Sequence, residues 1–341
     1  MDLLPTSEQQ QIIDSAVAYI GDRLPLQRLK TLLPRPEVLS SQGWQELADL
    51  GWFGLGLDAA VGGVGAGPSE EVLLFRELGR VVAPPRILFT AVAALAAAAA
   101  GEAALAERIA SGGMLIALAV REDYEAGGVA VGRRRLYEAE GAQAALLVDG
   151  DRIRLLELAG RDLDLRPCLD TSVGMSLADL SDASVLFDVT DGRIALRADL
   201  LLAAYQVGIA EKALEMIVSY AKVRETFGRP IGAYQAVRHP CAEMAARGEE
   251  ARALTFLASV ALADAAPDAV LQVSAARVLA EEAALKNADD NIQLHGGIGV
   301  TAEFDAHHLI KRANVARQWF GDRRSHLIRV LGTRFNIDAA A

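Results

Sequence analysis

Through the first third of the chain apolar residues recur at helical spacing, with polar residues between them. Residues 7–33 read as a helix, which Pro34 and Pro36 interrupt. A short helix over Gln42–Leu50 carries the apolar stripe Trp44, Leu47 and Leu50. The glycine-rich stretch Gly51–Gly67 has no helical period and reads as a surface loop; with no Lys-Ser/Thr behind it, it is not a P-loop. Pro68-Ser69-Glu70 opens another helix, with Ser69 as its N-cap, that ends at Gly79. Pro84-Pro85 separates it from the alanine-rich run Ile87–Ala100 and from a helix over Ala103–Ala110. That run is too short to cross a bilayer core of about 30 Å. Alanine has the highest helix propensity, so the run predicts a buried helix.

The pattern changes at Gly112-Gly113. Met114–Val120, Ala144–Val148, Ile153–Leu158 and Ser184–Phe187 are short apolar or alternating runs between turn residues, and Asp149-Gly150-Asp151 signals a hairpin. A small antiparallel β-domain is predicted. From Asp199 the helical period returns over Leu200–Phe227, Pro240–Ala263, Asp268–Leu294 and Asp305–Leu331, four long helices that make a bundle. The predicted fold class is mainly α with a small β-domain: an N-terminal helical domain (1–113), a middle β-domain (114–190) and a C-terminal helical bundle (191–341).

Chemistry concentrates where the first bundle helix breaks. Ile209, Ala213, Met216, Tyr220, Val223 and Phe227 form one apolar face, and Gly228 and Pro230 end it. Arg224 and Thr226 fall in the predicted last turn, and Gln235 lies just beyond. A guanidinium, a hydroxyl and an amide together suit a phosphate or a polar heterocycle; a plain helix C-cap with a dipole-favoured arginine is the alternative. A second block, Gln293-Leu294-His295-Gly296-Gly297-Ile298-Gly299, reads alone as a helix-terminating turn. His295 has no Cys, His or acid at metal spacing, and His307 and His308 do not share a helix face, so no metal site is predicted.

Composition narrows the class. The 341 residues are 52% hydrophobic, enough for more than one domain. A formal charge of −11 argues against non-specific nucleic-acid binding. Cys168 and Cys241 have no metal spacing and read as a disulfide or as two thiols in a reducing cytosol. Met1–Gln11 has acids and no basic n-region, so no signal peptide is predicted and the expected location is cytoplasmic.

The stretch Arg224-Glu225-Thr226-Phe227-Gly228-Arg229-Pro230 with Gln235 resembles the acyl-CoA dehydrogenase signature. The Gln293–Gly299 block with Glu303, and Leu50-Gly51-Trp52, Gly62-Gly63 and Glu77-Leu78-Gly79-Arg80 near the N-terminus, resemble two further family blocks in the family's order. The resemblance implies FAD between the β-domain and the bundle, with an acyl-CoA thioester against the flavin. A carboxylate takes the α-proton, the β-hydrogen leaves as hydride, and an electron-accepting flavoprotein follows. Carried over by motif, Arg224, Thr226, Phe227 and Gln235 touch a neighbouring subunit's FAD, and Gln293, Gly296 and Gly297 approach its dinucleotide end.

Two departures stand out. In an ungapped count from Gly296, Phe320 holds the usual catalytic Glu position, within Trp319-Phe320-Gly321. The family's alternative position falls on Ala198, beside Asp199, which could serve as the base at a helix start or simply N-cap that helix. The flavin-contacting turn after the first strand is replaced by Arg121-Glu122-Asp123. With these departures, the resemblance implies a short subunit that pairs with a longer paralogue in a heterotetramer. A self-sufficient homotetramer using Asp199 and a non-catalytic subunit are the alternatives.

Overall fold

A computed structural model describes residues 5–32, 36–121 and 132–332. The first segment is helical: α1 (Ser7–Arg23), α2 (Leu29–Leu32), α3 (Ser41–Asp49), α4 (Pro68–Arg80), α5 (Arg86–Ala99) and α6 (Ala103–Ala110). A reciprocal box starts α1, in which Thr6 Oγ1 accepts from Gln9 N and Gln9 Oε1 accepts from Thr6 N. Residues 86–97 of α5 are all buried, so the alanine-rich run is a core helix, as its composition predicts. No helix among the described residues is long and apolar enough to cross a membrane.

The strands β1 (Ile116–Arg121), β2 (Arg133–Tyr137), β3 (Ala144–Asp149), β4 (Arg152–Glu157), β5 (Asp164–Arg166), β6 (Met175–Asp179) and β7 (Val185–Thr190) form one sheet in the order β5-β6-β2-β1-β3-β4-β7. Its two faces follow the strand period of two. Ile116 and Leu118 join the main core beside α5, and Ala117 and Ala119 join a separate apolar layer behind. The bundle follows: α7 (Gly192–Val223), the ribbon β8 (Glu225–Thr226) and β9 (Arg229–Pro230), α8 (Gln235–Ala263), α9 (Ala269–His295), α10 (Ala306–Ala316) and α11 (Arg323–Gly332). Helices α4 and α7 cross where Gly79 faces the Tyr205 carbonyl and Gly208 faces the Arg76 carbonyl. A Cβ on either glycine would lie about 2 Å from that oxygen.

Five local expectations are corrected. The sheet is mixed, because β1 and β3 pair in parallel with β2 on the far side of β1. The helix assigned to Leu200–Phe227 starts at Gly192, since Asp191 Oδ1 accepts from Arg193 N and Ile194 N; Asp199 is therefore inside α7 and caps nothing. The same helix stops at Val223, so Arg224 is its extended C-cap and Thr226 is in the ribbon. Ser69 is inside α4, whose first residue is Pro68; the Glu70 carboxylate accepts from Gly67 N instead. The Asp305–Leu331 pattern is two helices, split at a turn where Phe320 (φ 57°) and Gly321 (φ 107°) are left-handed.

Three segments meet at Arg312 of α10, which is fully buried. Its Nε donates to Asp170 Oδ2 at 2.5 Å, Nη2 to Ser172 Oγ at 3.0 Å, and Nη1 to the Ala83 carbonyl at 2.6 Å and to the Tyr205 hydroxyl of α7. Arg28 grips the same turn from the other side, donating to the carbonyls of Val81 and Val82 at 2.7 and 2.9 Å. Val82 is left-handed at φ 52°, a strained state for a β-branched residue. Two guanidiniums hold it there.

Removing one member of a buried, hydrogen-bonded ion pair strands the other. Arg312→Met should cost about 3–5 kcal/mol in urea unfolding. A loss below about 1 kcal/mol would mean that Asp170 finds another partner.

Candidate functional site

The sequence-predicted residues gather at one end of the bundle. Helix α7 ends there, α8 begins there, and α9 ends there. The joint is an aromatic cluster: the His295 ring is 4.5 Å from Tyr220 of α7 and 4.5 Å from Phe304. His295 Nδ1 donates to the Asn291 carbonyl at 2.7 Å, which fixes the ring as a structural wedge. The cluster brings the Arg224 block beside the Gly296 block through the Tyr220–His295 contact, although the two blocks are far apart in the chain. Phe304 is not singled out by sequence, and Tyr220 is marked only as one position of the apolar face of α7.

The ribbon is built to project its tip. Phe227 (φ 51°) and Gly228 (φ 79°) are consecutive left-handed residues, the geometry of a type I′ turn. Tyr234 braces it by donating to the Thr226 carbonyl at 2.8 Å, and the Arg229 guanidinium lies 4.1 Å over the Tyr234 ring. Phe227 is thereby held strained and 99% exposed. Arg224, Gln235 and Gln293 are exposed, and none of their side chains has a hydrogen bond or ion pair among the described residues. Thr226 is half-buried. Gly296 adopts φ 68°, ψ −148°, a region essentially reserved for glycine. Around Gly297 a Cβ would meet nothing within 4 Å, so within this chain nothing requires a glycine there. Val223, Ile298 and Val300 add exposed apolar surface. This end of the bundle thus presents a rim of three unpaired polar side chains, Arg224, Gln235 and Gln293, with the exposed Phe227 ring, the half-buried Thr226 and the open backbone of Gly296 and Gly297.

The two candidate base positions lie elsewhere. Phe320 is buried in an edge-to-face stack in which Phe89 is 5.2 Å from Trp319 and 6.3 Å from Phe320. Tyr137 of β2 closes the stack 6.0 Å from Trp319, and its hydroxyl donates to Gln318 Oε1 at 2.9 Å. Arg135 donates to the same oxygen at 2.7 Å. The seam between the sheet and the bundle is therefore filled by aromatic side chains. Glu122 and Asp123, expected beyond β1, lie outside the described residues.

Asp199 is buried and faces α9 and α11. Arg329 Nη1 donates to Oδ2 at 3.0 Å; Oδ1 has no hydrogen-bond partner and lies 3.6 Å from His326 Nε2. Burial raises the Asp199 carboxyl to about 7 against the pull of Arg277 and Arg329. Burial, reinforced by the same two arginines, lowers His326 to about 3, so the imidazole is neutral. Asp322 accepts from Ser325 N at 2.8 Å at the start of α11, a capping role.

Two family models match the chain, one in its N-terminal part and one in its C-terminal part. The family described as acyl-CoA dehydrogenase, N-terminal domain, matches residues 6–114, and the one described as acyl-CoA dehydrogenase, C-terminal domain, matches residues 197–331. Acyl-CoA dehydrogenase FadE34 of Mycobacterium tuberculosis is 35% identical over 300 residues, which are 83% of this chain and 41% of that protein; the chain thus spans less than half of that relative. Acyl-CoA dehydrogenase IpdE2 of the same organism is 30% identical over 340 residues, 96% of this chain and 98% of that one. Among solved structures, the ChsE4-ChsE5 complex from Mycobacterium tuberculosis has a TM-score of 0.82 at 23% identity, covering 98% of this chain and 100% of that one. A steroid ACAD variant, Tcur3481-Tcur3483, has a TM-score of 0.81 at 27% identity, covering 95% and 96%.

Asp199 gives a pH test. Its folded value of about 7 lies above the ordinary 3.8, so between these the fold keeps a proton that the unfolded chain has released. Its contribution to stability therefore falls as pH rises through that window. The Tm of the parent should drop more between about pH 5 and about pH 8 than that of Asp199→Asn. Parallel curves would mean that Asp199 titrates as an ordinary aspartate.

Proposed function

The chain belongs to the acyl-CoA dehydrogenase family, and from that premise we propose that it is the short subunit of a heteromeric enzyme that α,β-dehydrogenates an acyl-CoA thioester. The family's cofactor is FAD, which supplies the hydride acceptor. The rim residues fit a dinucleotide. Arg224 offers an unpaired guanidinium for a phosphate, Gln235 and Gln293 offer free amides, and Gly296-Gly297 leaves backbone that a ligand can approach closely.

The observation that carries the short-subunit reading is Phe320, buried in an aromatic stack where a carboxylate is expected; the rim residues turn outward as well. Every one of these groups faces away from its own chain, and the Phe227 ring is wholly exposed. A rim so arranged completes a neighbour's cofactor site. Its own seam is plugged by Tyr137, Trp319, Phe89 and Phe320. We assign Phe320 to the position of the usual catalytic Glu; a phenyl ring takes no proton, so the base comes from a longer paralogue. That ChsE4-ChsE5 and Tcur3481-Tcur3483 are named as pairs supports the heteromeric reading, and the steroid enzyme supports a bulky acyl group. An electron-accepting flavoprotein then reoxidises the complex.

A second reading is a self-sufficient homotetramer with Asp199 as base. The raised carboxyl and the unpaired Oδ1 favour it. The Arg329 bond and the burial behind α7 weigh against it.

Expressed alone with FAD, the chain should show no turnover across a panel of acyl-CoA thioesters, and a co-expressed longer paralogue should restore it. Ordinary turnover by the chain alone, lost by about 10²–10⁴ in Asp199→Asn, would establish the homotetramer instead. In the complex, Arg224→Ala should weaken FAD retention by about 1.5–3 kcal/mol, a charge-assisted contact, while Tm stays near that of the parent. A variant that melts far lower and keeps its flavin would make Arg224 structural.

A further inference from the structure

A cavity of about 290 Å³ lies far along the chain from the rim residues, between α3, the start of α5 and the strand ends at Met114-Leu115 and Glu138. Nothing in the dehydrogenase reading uses it. Trp44, Leu39 and Met114 give it apolar wall, and Arg86 and Glu138 give it charge. Both charged residues are more than nine-tenths buried.

Arg86 is only partly engaged. Its Nη2 donates to the carbonyls of Glu138 and Glu140 at 2.6 and 3.0 Å. Its Nε is buried with no hydrogen-bond partner, and its Nη1 has none among the described residues. Its nearest carboxylate oxygen, Glu138 Oε2, is 3.9 Å away, beyond hydrogen-bond reach. The other Glu138 oxygen accepts from Gly174 N at 2.9 Å. Glu138 itself is left-handed at φ 61°, a strained state for a non-glycine residue that brings its carboxyl to the cavity wall. The remaining acid, Glu37, is neutralised by a two-pronged bond to Arg28 at 2.7 and 2.9 Å. Burial pushes the Glu138 carboxyl up to about 7 against the pull of the Arg86 guanidinium.

We propose that this cavity binds a small monocarboxylate, with its carboxylate on Arg86 and a short apolar tail against Trp44, Leu39 and Met114. A monoanion suits it better than a phosphate dianion. One guanidinium nitrogen, Nη1, is left for a ligand, two acids line the cavity, and much of the wall is apolar. The assignment does not rest on the dehydrogenase reading.

Saturation-transfer NMR on the full chain with sodium butyrate tests it. For a ligand of this size the expected Kd is on the order of 1 mM. Binding should weaken at least about tenfold in Arg86→Met, the loss of about 1.4 kcal/mol or more. Arg86 also ties α5 to the turn at Glu138, so its variant could unfold. Val38→Trp avoids that problem, because Val38 lines the cavity mouth and is 77% exposed. It should fold as the parent does and block butyrate sterically. Inorganic phosphate should neither bind nor compete. No transfer to butyrate at about ten times that concentration, unchanged binding in Val38→Trp, or displacement by phosphate would each overturn the proposal.

Discussion

The structure depends on one buried cation. Arg312 reaches from the bundle to the turn after α4, to the loop before β6 and to Tyr205 of α7. A guanidinium in a dry core is costly unless its donors are satisfied, and here a buried carboxylate, two hydroxyls and two carbonyls meet it. Asp170 is held below the usual carboxylate range, because Arg312 and the Ser172 bonds together outweigh a burial effect that acts the other way. The polar joint sets the relative placement of sheet and helices, which a purely apolar seam would leave less defined. The aromatic stack around Trp319 follows directly on α10, the helix that carries Arg312.

The sequence made the fold legible where periodicity and punctuation agree. The alanine-rich α5, the glycine-rich loop and the Gly150 hairpin follow from local chemistry. The starts and stops of the bundle helices do not. Asp191 starts α7 well before the apolar stripe becomes clear, and Pro240 lies inside α8 although proline suggested its beginning. The parallel β1–β3 pair depends on which strands meet, and no local pattern encodes that.

The candidate site was half legible. The motif residues do share one end of the bundle, but what joins them is Tyr220, His295 and Phe304, a contact between distant helices. The Arg312 joint and the Arg86 cavity were also missed. An arginine on a helix reads as solvated surface until the packing shows it buried. Asp199 illustrates the reverse case: its sequence position suggested a helix cap or a base, and its surroundings are an ion pair within the bundle.

The central claim is that this chain's cofactor residues serve a neighbour while its own seam is closed. Flavin absorbance per chain measures that directly, in the chain purified alone and in the complex with a longer paralogue. The account predicts a colourless chain alone, and in the complex as many flavins as there are long chains. A chain that purifies alone with one flavin bound to each copy would contradict it.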